Sequence, residues 1–154
     1  MKAVIQRVTN AAVSVNGHIC SSIACGLLVY LGVALEDTEK DAQWLAEKIA
    51  NMRIFDDSEG KMNLSILDVN SRPESPALGV LAISQFTLLG DARKGRRPSW
   101  AKAAPPDTAR RLYEYFITEI CNYGLSCESG EFQALMQVNY TNNGTVTIFL
   151  DSRE

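Results

Sequence analysis

The segment Gly26 to Leu35, GLLVYLGVAL, is the longest apolar stretch in the chain. It is too short to span a bilayer, which takes about 20 apolar residues. Its near-continuous apolar character, without the alternation of a half-buried strand, predicts a β-strand over Leu27 to Ala34 with both faces covered. A strand of that kind sits in the middle of a sheet, so the rest of the chain must supply neighbours on both edges and layers on both faces.

The flanking segments supply them. Val4 to Val15 is rich in β-branched residues, and the following Asn16-Gly17 suits a type I′ hairpin turn, which needs two positive φ angles. Thr38, with Asp41 three residues on, predicts a helix start, and Ala42, Leu45, Ala46, Ile49 and Met52 recur at helical spacing. Asp57 to Gly60 reads as a turn, Asp68 to Gly79 as an irregular surface loop with two prolines, and Val80 to Phe86 as a strand. Pro105 and Pro106 suit the first turn of a helix carrying Ala109, Leu112, Tyr113, Phe116, Ile117 and Ile120 on one face, with Gly124 as its stop. Ala134 to Tyr140 and Val146 to Leu150 flank Asn142-Asn143-Gly144, which predicts a closing hairpin. Hairpins at both ends with two main helices between them predict one compact α+β domain over residues 1–154, with a mostly antiparallel, barrel-like sheet. A chain of 154 residues can bury a sufficient core without staples.

Composition narrows the chemistry. Gln6 and Arg7 interrupt the N-terminal segment before a signal peptide's apolar region can form, so a cytoplasmic location without a membrane anchor is expected. Cys20, Cys25, Cys121 and Cys127 are expected to be reduced, packed thiols, since their spacing and a single histidine do not suit structural zinc. Asp56, Asp57 and Glu59 lack the ligand alternation of a calcium loop, and Arg96 and Arg97 stand where a phosphate-binding loop needs Lys and Ser or Thr. With His18 the only histidine, a histidine-based triad is not expected either. No metal or cofactor is expected, and any hydrolysis must rely on positioned amides, on a hydroxyl without a conventional base, or on the substrate itself. Net charge is −3, yet Arg93, Lys94, Arg96, Arg97, Lys102, Arg110 and Arg111 crowd one segment in which Asp107 is the only acid. That segment is either a solvated surface or a phosphate-contacting patch on an otherwise acidic protein.

At Ser84-Gln85-Phe86-Thr87-Leu88 the chain resembles the D-aminoacyl-tRNA deacylase (D-Tyr-tRNA deacylase) family, whose signature is this run at a strand end. The resemblance extends to Ile5-Gln6-Arg7-Val8, Arg53-Ile54-Phe55, Gly60 to Leu64, Arg97-Pro98-Ser99-Trp100 and Leu112 to Phe116, and so covers nearly the whole chain. One motif departs: where the family has Gly-Pro-Val-Thr, this chain has Gly144-Thr145-Val146-Thr147.

The resemblance implies a homodimer with active sites shared between subunits, tRNA as partner, and hydrolysis of the ester joining a D-amino acid to tRNA. Mischarged glycine is a further possible substrate. By match, Ser84, Gln85, Phe86 and Thr87 form the catalytic strand end, with backbone amides polarising the ester carbonyl. The terminal ribose 2′-hydroxyl assists water, and Thr87 as nucleophile ranks second. Arg7, Met136, Gly144 and Thr145 are implied to bind substrate, Arg7 by bracing the loop that the partner inserts. Lys94, Arg96, Arg97 and Lys102 are the expected tRNA contacts. The related L-alanine-specific deacylases differ at the strand motif, which argues against that reading. Two alternatives remain at this point: a tRNA- or DNA-binding member of the same fold with weak turnover, and a deacylase relaxed in chirality, both prompted by Thr145. In the family a cis peptide at the proline points two carbonyls into the pocket to exclude L-amino acids. A cis bond is therefore expected at Gly144–Thr145, at a cost of roughly 2.5 to 4 kcal/mol before a residue other than proline.

Overall fold

The computed structural model describes residues 1–154. Eight strands and three helices follow in the order β1 (Lys2–Val15), β2 (His18–Ile23), β3 (Gly26–Gly32), α1 (Glu39–Asn51), β4 (Phe55–Asp56), β5 (Met62–Leu64), α2 (Ile66–Asn70), β6 (Gly79–Ser84), α3 (Pro106–Asn122), β7 (Ser126–Ser129) and β8 (Met136–Asp151). Six of the strands form one sheet in the order β2-β1-β3-β6-β7, with β8 on the free side of β1, and β4 and β5 make a separate small hairpin. The result is an α+β fold with a barrel-like sheet, as expected.

The apolar run does become a central strand, though it ends at Gly32 and not at Ala34. β3 lies antiparallel to β1 and parallel to β6, and all of its residues except Tyr30 are buried. Alternate residues serve opposite layers: Leu27, Val29 and Leu31 join the helix-side core, while Leu28 packs with Val8, Ala11, Val13, Leu81 and Ile83 on the other face. The helices α1 and α3 are the crossovers that make β3, β6 and β7 parallel, since strands running the same way need a long return connection. Both pack on one face of the sheet, through Ala42, Leu45, Ala46 and Ile49 of α1 and Leu112, Phe116 and Ile120 of α3. Burying a side chain the size of Phe116 contributes on the order of 2 to 3 kcal/mol.

The Asn16-Gly17 turn forms as expected, with φ of 51° and 80°. At the start of α1 the Asp41 carboxylate accepts from the Thr38 amide at 2.8 Å and its hydroxyl at 3.0 Å. Burial works against the Asp41 charge, but hydrogen bonds from Ser152 and Thr38 outweigh it and hold the carboxyl below its usual range. Pro105 caps α3 and Pro106 opens it.

Three expectations are corrected and one strand is added. The closing hairpin does not exist: residues 136–151 form one strand that pairs with β1 along its length. Asn142-Asn143-Gly144 has the chemistry of a tight turn, but β1 is long enough to pair with both flanking segments, so the turn residues become a bulge within a continuous ladder. The segment read as loop from Asp68 begins inside α2, whose cap Ser65 accepts from the Asp68 amide at 3.1 Å. The short strand β7 carries little apolar signal and was not anticipated. All four cysteines are free, but Cys20 and Cys121 are exposed; Cys25 and Cys127 alone are partly packed, and burial pushes the Cys127 thiol up to about 12.

Candidate active site at the end of strand β6

β6 is buried from Gly79 to Ile83 and emerges at Ser84. The Gln85 amide makes one more bond, to the Leu31 carbonyl at 2.8 Å, after which Phe86–Leu89 coil into a single 3₁₀ turn closed by Leu88 N–H to the Gln85 carbonyl at 3.3 Å. The first amides of such a turn have no carbonyl behind them within the turn, which leaves Phe86 and Thr87 N–H as available donors. Gly32 lets the turn approach β3: a Cβ there would lie 2.6 Å from Leu89 Cδ2 and 3.0 Å from the Gln85 carbonyl oxygen.

The turn borders a cleft of about 720 Å³, mostly apolar, formed by Ile83 to Phe86, Trp100, Ala103–Ala104, the first turn of α3, and Phe132 to Val138. It lies outside the carboxyl end of a parallel strand, where open sheets with crossover helices leave a crevice. Tyr113 holds α3 against β6 by donating its hydroxyl to the Ala82 carbonyl at 2.8 Å, and burial raises its pKa. Phe132 packs against the Tyr113 ring, 6.0 Å away, and has the Arg110 guanidinium over its ring at 4.8 Å. At the mouth, Phe86 is 56% exposed and meets Trp100 edge-on with ring centroids 5.9 Å apart.

Of the residues named from sequence, Ser84, Gln85, Phe86 and Met136 meet in this cleft. Thr87 follows directly, exposed, with its hydroxyl accepting from the Gln85 side-chain amide. Arg7, Gly144 and Thr145 are brought together elsewhere, at the β8 bulge, and do not line the cleft of their own chain. There the ladder steps from Gln6↔Thr147 to Val8↔Asn142, so β8 carries extra residues opposite Arg7.

The bulge is tied down by side chains. Arg7 is only 8% exposed and donates to the Ile54 carbonyl at 2.8 Å, to Asp56 at 3.3 Å and to the Asn143 carbonyl at 3.4 Å. Asn142 Nδ2 donates to the carbonyls of Arg7 and Val146, each at 3.0 Å, closing the bulge from within. The Gly144–Thr145 bond is trans, which corrects the expected cis bond. Without proline the cis form loses its low cost, and the chain turns instead through φ of 77° at Gly144 and 21° at Thr145. The Thr145 carbonyl accepts from the Thr147 hydroxyl at 3.1 Å.

The basic segment divides. Arg93 folds back onto Asp91, Arg111 pairs with Glu39 at 2.6 Å, and Arg110 covers Phe132. Lys94, Arg96, Arg97 and Lys102 take part in no ion pair and stay exposed around the loop. If these side chains contact tRNA phosphates, as the resemblance implies, reversing the charge of Arg96 and Arg97 together is expected to weaken tRNA binding and flatten its salt dependence by about one unit per lost phosphate contact. Filter binding across a salt series checks this, and unchanged affinity would reduce the pair to a solvated surface.

The residues not anticipated are the cleft walls. Trp100 stands in the Arg97-to-Trp100 motif, and its aromatic side chain beside a basic run was a usable signal. Phe132 carries none, because its place in the cleft comes from packing between segments distant in sequence.

Residues 4–151 match the family model described as D-Tyr-tRNA(Tyr) deacylase. The chain is 54% identical to the D-aminoacyl-tRNA deacylase of Thermosipho africanus and 53% identical to that of Koribacter versatilis, in each case over 100% of this chain and 99% of the relative. A solved structure titled c-Myc DNA Unwinding Element Binding Protein superposes with a TM-score of 0.86 at 39% identity, covering 98% of both chains. A probable eukaryotic D-amino acid tRNA deacylase shares the fold, with a TM-score of 0.81 at 15% identity over 97% of each chain. The chain belongs to the D-Tyr-tRNA(Tyr) deacylase family.

Proposed function

We propose that this chain is a D-aminoacyl-tRNA deacylase that hydrolyses the ester between a D-amino acid and the 3′ end of tRNA, as a cytoplasmic proofreading enzyme. The observation that supports the reading is the 3₁₀ turn at the end of β6, whose Phe86 and Thr87 amides have no partner within the turn, beside an apolar cleft large enough for an amino-acid side chain and a nucleoside. Two such donors suit the oxyanion that develops when water attacks an ester, and a donor of this kind typically contributes about 2.7 to 4 kcal/mol. No side-chain base lines the cleft, and in this reading the terminal ribose 2′-hydroxyl assists the water. The name of the DNA-binding relative prompts a binding-only alternative, which no feature of the cleft favours.

In this reading the protein works as a homodimer. The braced bulge of Arg7, Gly144 and Thr145 lies away from its own cleft, and the neighbouring sheet face exposes Phe149 and Tyr140. A second copy would cover that face and bring a bulge to each cleft. The test combines deacylation of D- and L-aminoacyl-tRNA with sedimentation at micromolar concentration. Release of the D-amino acid by a dimer is the expected result, with the L-ester cleaved more slowly but not left intact, because the trans Gly144–Thr145 bond does not supply the carbonyl pair that a cis bond would point into the pocket. No release would overturn the function; equal rates would overturn the stereochemical part; an active monomer would overturn the shared site.

Thr87→Ala is expected to keep much of the wild-type rate, because in this reading the Thr87 backbone amide and not its hydroxyl acts on the ester. Single-turnover deacylation measures this, and complete loss in a folded variant would make the hydroxyl the nucleophile.

A further inference from the structure

Residues 91–99 form a loop closed at its neck by two backbone hydrogen bonds, from the Asp91 amide to the Ser99 carbonyl at 2.8 Å and from the Ser99 amide to the Asp91 carbonyl at 2.9 Å. Against it lies a second hollow, of about 330 Å³, lined by Asp91, Arg93, Lys94, Ser99, Ala101 and Lys102. The only acid in this lining is already matched: Asp91 takes two guanidinium hydrogen bonds and one backbone hydrogen bond from Arg93, which hold its carboxyl far below the usual range. Lys102 is near enough to add to that effect. With Asp91 and Arg93 cancelling, Lys94 and Lys102 leave the hollow with two unmatched positive charges. The Ser99 hydroxyl adds a donor, its oxygen making only a long contact, 3.4 Å, with the Ala101 amide.

The hollow and the apolar cleft share a wall. Along one short segment, Ser99, Ala101 and Lys102 line the polar hollow, while Trp100, Ala103 and Ala104 line the cleft. The segment is pinned to the end of β3, by the Ala104 amide to the Val33 carbonyl at 2.9 Å and by the Leu35 amide to the Lys102 carbonyl at 3.0 Å. A ligand that fills both sites must therefore carry an apolar group and an anion a short, fixed distance apart. An aminoacylated terminal nucleotide is such a ligand, with its ester on one side of the ribose and its 5′-phosphate on the other.

We propose that the hollow formed by Lys94, Ser99 and Lys102 binds the 5′-phosphate of the substrate's terminal nucleotide, an inference that rests on the deacylase reading of the adjoining cleft. The rim arginines 96 and 97 are then left for phosphates further along the strand. Recognition of one phosphate by two lysines and a hydroxyl is independent of base identity, so the site registers the substrate's position and leaves selection of the amino acid to the cleft.

The test uses two hydrolysis-resistant analogues, adenosine with a D-amino acid joined through a 3′-amide, with and without a 5′-phosphate. Calorimetry on the intact protein at fixed salt is expected to give about tenfold tighter binding for the phosphorylated one, the scale of charge-assisted hydrogen bonds in partial contact with water. In Lys94→Ala/Lys102→Ala the ratio of the two affinities should fall to about one, and Lys94→Arg/Lys102→Arg should restore it. Equal affinities in the wild-type protein would overturn the phosphate site alone. A ratio that survives in the double alanine variant would move the phosphate elsewhere. If the unphosphorylated analogue does not bind at all, the deacylase reading of the cleft falls, and this inference with it.

Discussion

Replacing Gly32 with alanine is expected to lower the deacylation rate about 100-fold while the sheet and both long helices still form. The new methyl would meet Leu89 Cδ2 at 2.6 Å, and both the Gln85 carbonyl oxygen and Leu88 Cβ at 3.0 Å. Leu89 is buried, so its side chain has little room to retreat. The Gln85 carbonyl closes the 3₁₀ turn by accepting from Leu88, and moving it rotates the amides of Phe86 and Thr87 away from the oxyanion position. Overpacking of this kind costs about 1 to 3 kcal/mol, which a domain of ordinary stability survives. Circular dichroism and single-turnover kinetics together check the expectation. A folded variant with an unchanged rate would mean that the turn's amides do not carry the chemistry.

Arg7→Met is expected to be the second damaging substitution, costing about 2 to 3 kcal/mol and lowering the melting temperature by roughly 5 to 10 °C. Methionine approximates the length of the aliphatic stem but leaves the Ile54 carbonyl, bonded at 2.8 Å in a buried setting, without its donor. The Asp56 partner is half-exposed, so that ion pair adds little. The functional effect should exceed the loss of stability. Gly144 packs so closely on the guanidinium that a Cβ would lie 2.7 Å from Arg7 Nη2, so the side chain sets the shape of the bulge as well as its bonding. If the bulge completes the partner's cleft, its loosening should reduce turnover about 100-fold. Arg7→Lys should rescue little of it, since one ammonium cannot reproduce a planar fork aimed at three acceptors. Thermal denaturation with kcat measured well below the transition checks both parts. A destabilised but fully active variant would reduce Arg7 to a structural brace and weaken the shared-site reading.

Much of this architecture is legible in local chemistry. The Asn16-Gly17 turn forms because two positive φ angles are needed there and these residues tolerate them. Gly26 to Gly32 of the apolar run becomes a central strand because a segment apolar on both faces must be covered on both. α1 and α3 follow from apolar residues at helical spacing between recognisable ends. The Ser84-to-Thr87 run has no distinctive composition, and only resemblance to a family marked it as a site.

What the sequence by itself determined, then, is the set of elements whose stability is decided within a turn or a few residues. Tertiary structure decided the rest, for a common reason. Asn142-Asn143-Gly144 suits a hairpin turn and a bulge equally, and the long partner strand β1 selected the bulge by keeping the ladder paired on both sides of it. β7 is strand because β6 offers it an edge, its own residues being largely polar. The parallel pairing of β3, β6 and β7 arises when both helices return to the same face of the sheet, a choice made by core packing across distances no local pattern records. The cleft is assembled in the same way: β6 brings Phe86 and the 99–104 segment brings Trp100, while Phe132 and Met136 arrive from beyond α3. Side chains so far apart in sequence meet because burying them together lowers the free energy of the whole chain, and that sum exists only in the folded state.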